Sequence, residues 1–460
     1  MSTRQNTKPS APIESRDDLV AWISSGAKPS SEWSLGTEHE KFVFRQDTYA
    51  PVPHEGEQGI SALMRGFMAC CGWEPIFEGE SIIALKRAFG EKGANVSLEP
   101  GGQFELSGAP LKSVHDTAAE TEQHLMQCHK AGGPLGLSFM ALGFAPTWTL
   151  EETPKVPKQR YDIMTRYMPK VGSRGLDMMY RTATIQANLD FGGEADMTQK
   201  MRISLALQPI ATALFASSPF TEGQPNGFKS MRSEVWRDTD ADRTGMLPFV
   251  FESGMGYERL VDYALDVPMY FVYRDGHYID AAGASFRDFL AGKLPGLEGV
   301  RPTMDDWSDH MTTLFPEVRV KRFIEMRGAD GGRAEMINAL PALWAGLLYD
   351  TTAQDAAWDL VKDWNEEERQ LLRDAVPRLA LQAPFRDGTV QDVARRVLEI
   401  AAAGLKARGN VNDAGDDERT YLSPLEEIAD SGMTNADRYL EKFYGSWGGR
   451  IMPIFAEVAI

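Results

Sequence analysis

Residues 35–44 read LGTEHEKFVF. Glu38, Glu40, Phe42 and Phe44 share one parity, while Leu35, Thr37, His39 and Val43 share the other. That is a strand signature, because successive side chains of a strand leave on opposite faces. Glu38 and Glu40 then lie on one side, roughly 7 Å apart. The stretch predicts a sheet with an acidic face, and the rest of the chain is read for segments that could join it.

Three further regions qualify. Asn95–Glu99 and Gln103–Ser107 flank Pro100-Gly101-Gly102 and predict two short strands around a tight bend, with Glu99, Gln103 and Glu105 clustered there. Thr182–Phe191 alternates Thr184, Gln186, Asn188 and Asp190 with Ala183, Ile185, Ala187 and Leu189. Val318–Arg327 predicts one strand, with Arg319, Lys321, Phe323, Glu325 and Arg327 opposite Val318, Val320, Ile324 and Met326. Helices are expected from Arg16, over His115–Ala131 and Met197–Ala216, and through most of the chain after Asp350. Asp275-Gly276 predicts a hairpin turn, and Lys406–Arg419 a polar surface loop. Strands and helices do not alternate in regular βαβ units. The expected class is therefore α+β around an antiparallel sheet.

The chain has 460 residues and a net charge of −18. Such acidity argues against a general nucleic-acid binder, which needs a basic footprint to displace phosphate counterions. It does not exclude ATP, since divalent ions can bridge acids to a polyphosphate. Cys70, Cys71 and Cys128 are the only cysteines. Cys70 and Cys71 are adjacent and poorly placed to bridge each other, so a reducing, cytoplasmic location is expected. Residues 1–12 contain no apolar run, so no signal peptide is expected. The apolar stretches Ile203–Phe215 and Leu340–Tyr349 fall short of the roughly 20 residues of a membrane span and predict buried core. Residues 1–14 read as a loose arm.

Neither G-x-x-x-x-G-K-[ST] nor G-x-G-x-x-G occurs, which removes the usual phosphate loops. If the predicted strands share one sheet, Glu38, Glu40, Glu99 and Glu105 gather on one face. Two unit charges 4 Å apart repel by about 4 kcal/mol at an effective dielectric of 20. Divalent cations remove that penalty, and hard oxygen donors select Mg²⁺ or Mn²⁺ over zinc. Glu325 adds a carboxylate beside Arg327, a pairing that suits a phosphoryl group in transfer. The residues alone leave open a solvated sheet face and a surface Glu–Arg pair. Arg232 could clamp a substrate carboxylate or be a surface arginine. His115, His124 and His129 read as structural or exposed, and Lys155–Arg166 as an exposed basic loop that could meet phosphate.

At this point longer motifs count. GTEHEKFVF (36–44), SLEPGGQFELSGAP (97–110), RYDIMTRYMPKVG (160–172), IQANLDF (185–191), FTEGQPNGFKSMRS (220–233), DRTGMLPFVFE (242–252) and EMRGADGG (325–332) resemble the glutamate–cysteine ligases of plant and proteobacterial type. The resemblance covers the chain from about residue 15 to its end. It implies a carboxylate–amine ligase fold related to glutamine synthetase, with a curled antiparallel sheet of roughly six strands. Residues 15–460 would be a single catalytic domain with a helical part from about residue 350, after a flexible arm over 1–14. The implied reaction joins L-glutamate to L-cysteine at the cost of ATP, the first step of glutathione synthesis. By motif, Glu38, Glu40, Glu99, Glu105 and Glu325 would ligate two or three Mg²⁺ ions, with Mn²⁺ as an alternative. Arg327 would contact the γ-phosphate together with Glu325, Gln103 would lie against the nucleotide, and Arg232, Gln186 and Asn188 would meet the amino-acid substrate. Plant members carry cysteine pairs as a redox switch, whereas the regions around Ala118 and from Ala281 to Gly296 hold no cysteine here. Absence of that switch is expected, with a monomer or homodimer and neither nucleic acid nor membrane as partner.

Overall fold

The computed structural model describes residues 10–87 and 93–460. At its centre is an open antiparallel sheet, nine-stranded among the described residues. In chain order the strands are β1 (Leu35–Arg45), β2 (Trp73–Glu78), β3 (Ser81–Arg87), β4 (Asn95–Leu98), β5 (Phe104–Ser107), β6 (Leu137–Met140), β7 (Thr184–Leu189), β8 (Val318–Val320) and β9 (Ile324–Asp330). Their order across the sheet is β8-β9-β7-β1-β5-β4-β3-β2, with β6 on the far end of β1. The long β1 serves three neighbours: β7 along Leu35–His39, β5 along Glu38–Lys41 and β6 along Phe42–Arg45. The α+β class and the antiparallel sheet agree with expectation. The sheet exceeds six strands because the hairpin β2–β3 and strand β6 extend it beyond the segments read from sequence.

Around the sheet lie α1 (Arg16–Ser24), α2 (Ile60–Cys71), α3 (Val114–Gly132), α4 (Gln159–Tyr167), α5 (Gly175–Arg181), α6 (Glu194–Leu214) and α7 (Met231–Val235). Helices Ala334–Leu348, Thr351–Val361, Glu366–Leu379 and Val390–Arg408 follow. Ile185, Ala187, Leu189, Ile324 and Met326 are buried in one cluster with α6 and Ala334–Leu348, a cluster that runs from Ile13 to Ala429. Each isoleucine, leucine or methionine among them, fully buried, contributes about 1.5–3 kcal/mol. A second cluster joins α2 and α3 to β3–β6. Ser113 starts α3 by accepting from Asp116 N at 3.0 Å, while Asp116 returns the bond to Ser113 N at 3.1 Å. Among the described residues no helix is long and apolar enough to cross a membrane.

Three expectations change. Val318–Arg327 is a hairpin, not one strand: Arg319 lies opposite Glu325, and Lys321 N bonds Phe323 O at the turn. Alternation survives a turn that keeps parity, so the pattern concealed it. The arm expected over residues 1–14 lies outside the described residues as far as residue 9, but residues 10–14 are held. Ile13 N donates to Pro302 O, and Asp305 N to Ser10 Oγ. Finally, Cys70 and Cys71 at the end of α2 are joined as a disulfide, against the expectation that neighbours could not bridge; Cys128 is free and buried.

Register positions the site, because opposed residues share a face. Glu38 lies opposite Gln186 on one side and Ser107 on the other. Glu40 lies opposite Glu105, and Glu105 opposite Ser97. Glu325 lies between Asn188 and Arg319. Residues as far apart in the chain as Glu38 and Glu325 therefore form rows on one sheet face.

Candidate active site

That face floors a cavity of about 80 Å³. Glu38, Glu40, Glu99, Gln103, Glu105, Gln186, Arg232, Glu325 and Arg327, all named from sequence, line it. Asn188 does not. It borders a second, larger cavity of about 850 Å³ with Trp22, Lys28, Asn95, Arg322 and Phe323. Glu38, Thr312 and Lys321 border both.

Glu99 reaches the first cavity because the chain bends sharply after it. Gly102 N donates to Glu99 O at 2.9 Å, with Gly102 at φ +80°. A Cβ on Gly101 would fall 2.3 Å from Tyr180 O, so only glycine fits there. Gln103, expected against the nucleotide, braces this bend instead. Its Oε1 accepts from Gly101 N at 2.9 Å, and its Nε2 donates to Thr182 O at 2.8 Å and to Met179 O at 3.3 Å.

The acids differ in what satisfies them. Glu38 Oε1 accepts from Asn188 Nδ2 at 2.8 Å, and Glu40 Oε2 from Thr184 N at 3.1 Å. Burial, then the charge of Glu105, pushes Glu38 upward; burial, then Glu99 and Glu105, pushes Glu40 well upward. Burial and Glu105 lift Glu99 to about 7. Among the described residues its Oε1 is buried without a partner. Glu105 goes the other way: against the pull of burial it is lowered, helped by Ser97 Oγ, which donates at 2.6 Å. Two facing carboxylates cannot both ionise freely, so Glu99 and Glu105 titrate as a pair.

Glu325 is different. Burial opposes its charge, but Arg319 and Lys321 hold it well below the usual carboxylate range. Arg319 donates to both of its oxygens, from Nε and, at 3.1 Å, from Nη2; Lys321 Nζ lies 2.8 Å from Oε1. The expected fifth metal ligand is thus occupied by two cations, and it orders them. Arg327, lowered to about 10 chiefly by burial, donates to Gln186 Oε1 at 2.5 Å.

Sequence reasoning missed Arg160, Arg319 and Lys321 as cavity residues. The basic stretch 155–166 is not an exposed loop at its centre: Lys158 is buried and donates to Leu98 O at 2.7 Å, and Arg160 lines the cavity. The parity of Arg319 and Lys321 with Glu325 was the available signal. The histidines behave as expected: His124 is sealed in the interior, His115 is half-buried against Tyr421, and His129 is exposed.

On donor chemistry the cavity fits a hard cation. Five carboxylates line it, three of them pushed toward protonation, and Glu99 keeps an unpartnered buried oxygen. Among the described residues no three acids, histidines or cysteines converge as a ready cage. That arrangement suits Mg²⁺, which takes one or two carboxylates and completes its shell with water and substrate phosphates.

An open antiparallel sheet with an acid-and-arginine cavity on one face is the architecture of a carboxylate–amine ligase. A crystal structure of a glutamate–cysteine ligase from Francisella tularensis in complex with AMP shares the fold, with a TM-score of 0.51 at 12% identity over 89% of this chain and 84% of its own. Residues 34–457 match the model of Glutamate-cysteine ligase family 2 (GCS2), and the chain belongs to that family. The chloroplastic glutamate–cysteine ligases of Brassica juncea and Arabidopsis thaliana are each 53% identical over 96% of this chain, covering 84% and 82% of their own lengths. These relatives are chloroplastic, a finding that overturns the cytoplasmic placement. A scarcity of cysteines does not tell one compartment from another.

Proposed function

We propose that this chain is an ATP-dependent ligase joining the γ-carboxylate of L-glutamate to the amine of L-cysteine, with γ-glutamylcysteine, ADP and phosphate as products. The observation that carries this is the gathering of Glu38, Glu40, Glu99, Glu105, Arg232 and Arg327 around one cavity, in a chain 53% identical to enzymes of that name. Residues 15–460 act as one catalytic unit, supported by a core cluster that runs from Ile13 to Ala429.

An amine cannot displace oxide from a carboxylate. The γ-carboxylate therefore attacks the γ-phosphorus of ATP, ADP leaves, and the amine attacks the resulting acyl phosphate, expelling phosphate and losing a proton to base. The smaller cavity takes the amino acids: buried Arg232 meets the α-carboxylate of glutamate, and its Nε has no partner among the described residues. The larger cavity, with Trp22, Lys28, Arg322 and Phe323, suits a nucleotide, whose phosphates reach the border formed by Glu38 and Lys321. Arg327, Arg319 and Lys321 stand where phosphoryl charge develops, oriented by Gln186 and Glu325. Glu38, Glu40, Glu99 and Glu105 would hold Mg²⁺, which neutralises polyphosphate charge when bound. Asn188 orients Glu38, and Gln103 holds the bend that carries Glu99.

The test is ADP release with Mg²⁺, glutamate and cysteine, with the product weighed by mass spectrometry. Release that requires both amino acids is expected. Release indifferent to either of them would overturn the proposal, and a panel of other amines would show how strictly cysteine is required.

A further inference from the structure

Arg232 sits on α7, a helix of five residues. So short a helix has little stability of its own and must be placed by its surroundings. One carboxylate does this, and it borders neither cavity described above. Asp330, the last residue of β9, is fully buried. Its Oδ2 accepts from Ser217 N at 3.0 Å and Ser218 Oγ at 2.6 Å, and its Oδ1 accepts from Ser230 Oγ at 2.6 Å.

Both serine hydroxyls pass the constraint onward. Ser218 Oγ accepts from the backbone N of Arg232 at 3.3 Å. Ser230 Oγ, the N-cap of α7, accepts from Ser233 N at 3.0 Å. Arg232 then donates from Nη2 to Arg327 O at 2.7 Å. The space around the acid is closed: a Cβ on Gly143 would fall 2.3 Å from Asp330 Cγ, so no longer side chain fits. An amide in its place would turn one accepting oxygen into a donor. That donor would face either Ser230, whose oxygen already receives Ser233 N–H, or Ser217 N and Ser218.

We propose that Asp330 is a positioning residue for the amino-acid substrate: through Ser218 and Ser230 it fixes α7 so that Arg232 meets the substrate α-carboxylate. This rests on the role given to Arg232 above. The same carboxylate lies close enough to the guanidinium to balance part of its buried charge.

The experiment is steady-state kinetics on D330N, S218A, S230A, R232A and the D330N/R232A double variant, each checked by thermal melting. R232A is expected to raise KM for glutamate. D330N should raise the same KM roughly tenfold while KM for ATP stays within about twofold, since misaiming one clamp loses orientation and nothing else. In the double variant the two effects should not multiply, because they act through one contact. S218A and S230A should each reproduce part of the rise, and they decide by the same criterion if D330N does not fold. An unchanged glutamate KM in D330N beside a raised one in R232A would overturn the inference. So would effects that multiply, or KM values for ATP and glutamate that rise together. If R232A itself leaves glutamate KM unchanged, the role of Arg232 fails first, and this inference with it.

Discussion

The two faces of β1 carry ionisable groups, half-buried on one face and fully buried on the other, and use them in opposite ways. Glu38 and Glu40 point into a cavity among other acids, and burial with like charge drives them toward protonation. On the reverse face His39 and Lys41 are sealed beneath α3. Lys41 Nζ lies 2.9 Å from His39 Nδ1 and donates to His39 O at 3.0 Å, while Cys128 Sγ lies 3.4 Å from His124 Nε2. There burial acts on a cation, lowering Lys41 to about 8. Burial alone does not make a site. The working face has open volume; the sealed face pairs Lys41 with His39 and Cys128 with His124 and, although His39 Nε2 and His124 Nδ1 have no partner among the described residues, borders neither cavity.

The largest expected effect breaks the working face. Glu38→Ala or Glu105→Ala should lower turnover at least about a thousandfold, because each removes a charge placed to bind cations at the reacting phosphates. Circular dichroism should be unchanged, and in Glu38→Ala the metal-free melting temperature should be unchanged or higher as repulsion is relieved. Near-normal turnover in either variant would put the cations elsewhere. Arg327→Lys should cost about a hundredfold in kcat, since an ammonium cannot reach both Gln186 and a phosphoryl oxygen as a planar fork does; rapid-quench measurement of phosphoryl transfer checks it.

The two faces should also answer pH with opposite sign. Glu99 is lifted from 4.5 to about 7, so in that window the folded state holds the extra proton. The metal-free protein should therefore lose stability as pH rises through it, by up to about 3 kcal/mol. Mg²⁺ or Glu99→Gln should flatten this slope. Lys41 is lowered from 10.5 to about 8, so there the unfolded chain holds the extra proton and stability should rise with pH across that window. Lys41→Met should remove the rise. Denaturant melts at each pH read both, and slopes of one sign would erase the contrast. The smallest effect is on catalysis from behind: Lys41→Met should change kcat by less than about threefold and leave stability within about 1.5 kcal/mol, as an apolar side chain of similar length suits a sealed interior.

What was legible in the sequence was parity. Glu38, Glu40, Glu105, Gln186, Glu325 and Arg327 fell on the face assigned to them because each lies on an alternating strand. Parity even outlived the missed turn at Lys321–Phe323, which lacks the glycine, proline or asparagine that marks most hairpins. It could not say how the groups would pair. Arg319 and Lys321 were visible on the right face, yet nothing local shows that they close on Glu325 rather than on solvent. Gln103 was placed in the right bend, but its partners Met179 and Thr182 come from a distant segment and left no local signal. The larger cavity had no signal at all, being assembled from α1, the Gly93–Pro110 region and Phe323. The Cys70–Cys71 bridge depends on backbone angles that composition does not encode.

Glu38, Thr312 and Lys321 form a party wall between two chambers. A guest in one chamber alters the charge and mobility of a surface that the other guest touches. Whatever factor the nucleotide imposes on glutamate affinity, glutamate must return to the nucleotide, by thermodynamic reciprocity. On the proposed placement of the two substrates, a partition built from a carboxylate and an ammonium thus couples their affinities equally in both directions, whichever arrives first.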